Sequence, residues 1–248
     1  MAIPIVETDI PENIEIPAVF RYSAFFDLLA DAAFHHKNAK AQTDSYLMSR
    51  YARASVLASA LSVECVANCL LESLEISGSL RTDLDKLPTV TKVETYMRLR
   101  SISEFDRGCP EVQRISELLK ARNDHVHPKR YGISATAGIP QDGGADWILP
   151  FNIDGEHWPE LKIPKRSMFW SSQSSVSALG AVATFFTYVF VTLLKSSEQD
   201  LQSMLPSRFE MKNIHILAVF EEIKSELKGA SEHGVDFSLF SFLSGIQS

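Results

Sequence analysis

Cysteine is scarce in this chain. Three thiols, Cys65, Cys69 and Cys109, occur in 248 residues, too few and odd in number for a disulfide framework. Cys65 and Cys69 lie one helical turn apart, a spacing that reads as core packing. Glycine-rich signatures are missing as well. There is no Gly-x-x-x-x-Gly-Lys-Ser/Thr loop, no Gly-x-Gly-x-x-Gly fingerprint and no Gly-x-Ser-x-Gly elbow. Their absence sets aside phosphate-loop nucleotidases, dinucleotide oxidoreductases and elbow-type serine hydrolases. An excess of positive charge is also lacking. A formal charge of −7 disfavours indiscriminate nucleic-acid binding through a broadly basic surface, but leaves room for a local basic pocket. The opening residues, MAIPIVETDIPENIEIP, hold neither a basic start nor an apolar stretch. No signal peptide is expected, and the reducing cytoplasm is the expected compartment.

What is present is helical pattern. A hydrophobic content of 45% and a charged content of 22% suit a packed core and argue against disorder. After an irregular leader over 1–18, residues 19–37 read as a first helix. Residues 44–76 read as a long second helix broken at Ser77-Gly78, with Val56, Ala60, Val63, Ala67, Leu70 and Leu74 spaced as a buried stripe. Leu57, Leu61, Glu64, Asn68 and Leu71 form a neighbouring stripe. Pro88 and Thr89 open a short helix through Arg100, and Pro110 opens the next, which Pro128 should end at His127. Residues 132–171 are richer in glycine and proline and read as an insertion holding a small β-hairpin, with Asp154-Gly155 near its turn. Helix returns over 172–205, where Val176–Leu194 is uncharged and long enough to span a bilayer. Its hydroxyl residues, its lack of flanking basic clusters and its amphipathic neighbours favour a buried bundle helix, so no membrane association is expected. A last helix is expected over 209–228, and 231–248 reads as a C-terminal tail. The expected architecture is a mainly α, up-and-down helical bundle built from 19–131 and 172–230.

The chemistry concentrates at Arg122-Asn123-Asp124-His125-Val126-His127-Pro128. A guanidinium clamps a phosphate through two charge-assisted hydrogen bonds. A nearby histidine titrates close to neutrality and moves a proton at a reacting hydroxyl or leaving oxygen. Lys120, Arg122, Lys129 and Arg130 surround the motif with only Asp124 among them, so the local field is expected to be positive. Arg122 follows Val112, Ile115 and Leu119 along the apolar side of its helix, which implies a specific partner. Spacing alone is weak, because a second arginine and histidine, Arg208 and His215, stand at a similar separation, six intervening residues against four. Five residues of helix also turn His127 about 140° from Arg122, whereas His125 stands about 60° away. Either the helix loosens before Pro128 or His125 shares the work. A second reading makes Asp124, His125 and His127 metal ligands with His157, but no further ligand has a convincing spacing.

The arginine, its following asparagine and a histidine after four intervening residues resemble the Arg-x4-6-His signature of HEPN domains. Long paired helices precede that motif in the family, as RASVLASALSVECVANCLLESL precedes ISELLKARNDHVHP here. The resemblance covers roughly 44–130, with a continuation into the helix at 172–205. It implies a HEPN-like bundle and a metal-independent endoribonuclease of the toxin or phage-defence kind, needing no cofactor. Two protomers would place both Arg-His pairs in one cleft. Arg122 would hold the scissile phosphate, His127 would act as acid or base, and Asn123 would orient a phosphate or sugar oxygen. Lys120, His125, Lys129 and Arg130 would bind the substrate, and Glu64 would support Arg122. RNA or a nucleotide is the implied partner, with a second copy and an antitoxin or regulatory protein as further ones. In some family members a tyrosine two residues past the histidine accepts nucleotides; Lys129 stands there instead, which puts that regulation in doubt. A non-catalytic helical module of the same fold, with Arg122 bound structurally to Glu64, is the competing expectation.

Overall fold

The computed structural model describes residues 17–245 apart from 75, 131, 133–154 and 213. The chain is mainly helical with a small antiparallel sheet. Helix α1 is Phe25–Ala41, α2 Ser45–Glu72, α3 Gly78–Asp85, α4 Thr89–Leu99 and α5 Pro110–Val126. Helix α6, Ser172–Phe186, continues as a π-helical stretch over Thr187–Leu193, and α7 is Glu198–Met204. Strands β1 Val19–Arg21, β2 Arg208–Met211 and β3 Ile214–Leu217 form the sheet, and α8 is Glu221–Ala230.

Helix α2 is the axis of the bundle and packs against α1, α4, α5 and α6. Its start is set by Asp44, whose carboxylate accepts the Leu47 N–H at 2.7 Å. Its buried side carries small residues, Ala52, Ser55, Ser59, Ala60, Ser62 and Ala67, which let neighbouring backbones approach closely. Two of the hydroxyls brought inside find partners: Ser55 donates to the Ala32 carbonyl at 2.7 Å and Ser62 to that of Ser59 at 2.8 Å, whereas Ser59 Oγ has none among the described residues. The segments Ser45–Glu72 and Ser172–Leu193 are long and apolar enough to cross a membrane. They are also the central packing helices, with 61% and 50% of their most apolar windows buried by the rest of the chain.

Two stretches expected as helix are strand. Val19–Arg21 pairs with β2, and the last expected helix gives way to the β2–β3 hairpin followed by the shorter α8. The reason lies in pairing. Phe20, Phe209 and Ile216 lie opposite one another across the three strands, while Arg21 and Arg208 bond to Glu210 at 2.6 and 2.8 Å. Such cross-strand partners stabilise an alternation that is too short to decide alone. The hairpin expected near Asp154-Gly155 falls largely outside the described residues. Over 155–171 the chain makes an isolated bridge between His157 and Pro164 and a 3-10 turn at Ser167–Phe169, but no strand. The tail is no appendage: Phe237, Phe240, Phe242 and Leu243 are buried, and Phe240 meets Phe25, Phe26 and Phe186 edge-on.

His36 on α1 is 3% exposed and shares a 2.7 Å hydrogen bond between its Nδ1 and Ser175 Oγ. Burial, with the positive neighbours His233 and Lys40, lowers its pKa to about 4. Between that value and the ordinary 6.5 the unfolded chain holds a proton that the folded chain refuses, so stability should fall as pH drops through this window. Taking 1.36 kcal/mol per unit, moving from pH 7 to pH 5 should cost roughly 2 kcal/mol. Urea titrations at the two pH values should show that loss, and His36→Asn should remove most of it. An undiminished pH dependence in the variant would refute the assignment.

Candidate functional site

Helix α5 presents the motif. Pro110 occupies its first turn after Cys109, and the last helical bond runs from the His127 N–H to the Asn123 carbonyl at 2.9 Å. His127 then leaves the helical region, with φ −120° and ψ 62°, as expected of a residue preceding proline. The loosening thus comes at His127 itself, and its Cα is still placed by the helix. Regular helix geometry therefore sets the Cβ directions of Arg122 and His127 about 140° apart within one chain. Val112, Ile115, Leu118 and Ala121 form the fully buried stripe. Arg122 therefore lies at the edge of the apolar side rather than on it, and Val126 is exposed.

Arg122 is gripped from α2. Its Nη2 forms an ion pair with Glu64 Oε2, and its Nη1 donates to Asn123 Oδ1 at 3.0 Å. The side chains of Arg122 and Glu64 keep 20% and 36% of their exposure, so the pair faces water on one side. Arg122 Nε is buried and has no hydrogen-bond partner among the described residues. Lys120, Asn123, Asp124, His127, Lys129 and Arg130 are all exposed. The His127 ring makes no hydrogen bond among the described residues.

His125 behaves differently. Its Nδ1 shares a 2.8 Å hydrogen bond with Ser167 Oγ, and its ring lies 5.7 Å from that of Trp170. Partial burial, and then the Arg53 charge, hold its pKa below the ordinary imidazole value. It is therefore neutral near pH 7, the form of a proton acceptor. Ser167, Trp170 and Arg53 escaped sequence reasoning, because only folding of a distant segment brings them here. The same segment is tied down by Glu117, a buried carboxylate that accepts the N–H groups of Glu160 and Leu161 at 2.9 and 2.7 Å. A glutamate near the inner side of an otherwise apolar stretch of α5 was the available signal. Arg53 in turn donates to Ser49 Oγ at 2.7 Å.

Among the described residues, no three His, Cys, Asp or Glu side chains converge as metal ligands; His157 bridges to Pro164 instead. Arg208 and His215, which stand at a similar separation, sit on neighbouring strands of the sheet. Comparison with known proteins found no matching family model, curated protein or solved structure.

Proposed function

We propose that this chain is a HEPN-like, metal-independent endoribonuclease acting as a homodimer. The observation that carries the reading is Arg122, backed by a carboxylate from α2, 20% exposed and bonded to exposed Asn123. Lys120, Lys129 and Arg130 flank the motif in sequence and are exposed, a local excess of positive charge suited to an RNA backbone. Arg122 would hold the scissile phosphate, and Glu64 would fix the guanidinium plane. Asn123 would turn toward a phosphate or sugar oxygen. A histidine would take the proton of the 2′-hydroxyl as its oxygen attacks phosphorus; a second would protonate the departing 5′-oxygen, leaving a 2′,3′-cyclic phosphate. One chain offers two histidines with different surroundings, and Arg122 and His127 diverge within it. A two-fold axis would bring the Arg122 of one copy toward the His127 of the other.

The test is cleavage of unstructured RNA in excess EDTA, with end-group analysis and light scattering in the same buffer. Cyclic phosphate ends are expected, His127→Ala should lose at least about a hundredfold in rate, and His125→Ala should lose less. The reverse order would transfer the working role to His125. Activity abolished by EDTA and restored by zinc or manganese would sink the metal-free mechanism.

The ion pair itself favours a second reading. In a non-catalytic module of the same fold, Arg122 would serve Glu64 alone, and the basic surface would recognise RNA, a nucleotide or a regulatory protein without cutting.

A further inference from the structure

Helix α2 also turns a pair of thiols toward open space. Cys65 and Cys69 are half-buried and line a groove of about 850 Å3 together with Asn68, Glu72, Arg208 and Glu210. Both thiols are free. Ser23, from the link between β1 and α1, sets its hydroxyl 4.0 Å from the Cys65 sulfur and 3.8 Å from the Cys69 sulfur. Ser23 is itself clamped. Its N–H donates to Ser207 Oγ at 2.9 Å, and Ser207 Oγ donates back to its carbonyl at 3.1 Å. Three donors from two segments thus converge at one spot, and none belongs to the α5 site.

Distance decides what such a pair takes. Residues four apart on a helix hold their Cβ atoms about 5–6 Å apart, whereas a disulfide wants roughly 3.5–4.5 Å. Closing an S–S bond of about 2.0 Å would distort α2. An ion between the sulfurs meets no such limit, because each thiolate–metal bond adds about 2.3 Å. Thiolates select soft ions over hard ones.

We propose that Cys65 and Cys69 form a chelating dithiol site for one soft, thiophilic ion of the class of Cu(I) or trivalent arsenic, with Ser23 Oγ as a weak third donor. Such an ion is bound by thiolate sulfur, so both thiol protons leave as it binds. With phenylarsine oxide the reaction balances without oxidation. Two As–S bonds form, the arsenic stays trivalent, and both thiol protons leave with the arsenoxide oxygen as one water.

The experiment counts free thiols in the native full-length chain. One equivalent of phenylarsine oxide is expected to lower the count from three to one, leaving Cys109. Cys109→Ser should bind equally well, whereas Cys65→Ser and Cys69→Ser should each lose at least about a hundredfold in affinity, since chelation is gone. Retention of all three thiols by the wild-type protein, a measurement that needs no variant to fold, would overturn the site. So would undiminished binding by Cys65→Ser.

Discussion

Arg122→Ala is expected to lower RNA cleavage by about a thousandfold, the scale on which a phosphate-clamping or charge-stabilising donor contributes. Its melting temperature should hardly move. That second half of the expectation separates the two readings of the Arg122–Glu64 pair. A fully buried carboxylate stripped of its partner would cost about 3–5 kcal/mol. Glu64 keeps 36% of its side-chain exposure, so water replaces the lost guanidinium and the cost should stay near the 0.2–1 kcal/mol typical of exposed pairs. Arg122→Lys retains the charge but not the two-pronged donor geometry, and should recover only a small part of the rate. Thermal unfolding and single-turnover cleavage, measured on the same preparations, give both numbers. A large stability loss, with RNA binding retained and no cleavage by the wild type, would favour the structural module.

Glu117→Ala should be the most destabilising substitution near the site. The Glu117 carboxylate is buried and accepts two backbone N–H groups from Glu160 and Leu161. Hydrogen bonds to a charged group contribute about 1.5–3 kcal/mol each. Truncation strands both donors, so a loss of roughly 3–5 kcal/mol in denaturant titrations is expected, with faster amide exchange at residues 160 and 161. Glu117→Gln keeps one acceptor and should fall between. The effect should also reach His125, because the loosened segment carries the Ser167 hydroxyl that bonds to its ring at 2.8 Å. Unchanged stability in Glu117→Ala would mean that the segment is held elsewhere.

Several features were legible in the sequence because they are local. Pro110 and Pro128 mark the ends of α5 by backbone sterics alone, and the helix runs Pro110–Val126. The three-and-four spacing of Val56, Ala60, Val63, Ala67 and Leu70 announced the buried side of α2, and all five are fully buried. Periodicity placed Glu64 among the apolar positions of α2, the HEPN resemblance implied that it supports Arg122, and the two meet. By itself, then, the sequence determined the long helices α2 and α5, the two ends of α5 and the row of polar groups at its C-terminus.

Tertiary structure decided the rest. Val19–Arg21 becomes a strand because β2 comes to lie beside it from the other end of the chain, with Arg21 and Glu210 separated by 189 residues. No short window contains that partner. Sequence left open which of His125 and His127 does the work; Ser167 and Trp170 engage His125, and His127 stays exposed. Cys65 and Cys69 read as core packing and do pack against the core, but Ser23 and the sheet residues Arg208 and Glu210 also make them part of a groove wall. Helix periodicity reports which residues share a side. What that side meets depends on distant segments, and their arrival is a property of the packed chain as a whole.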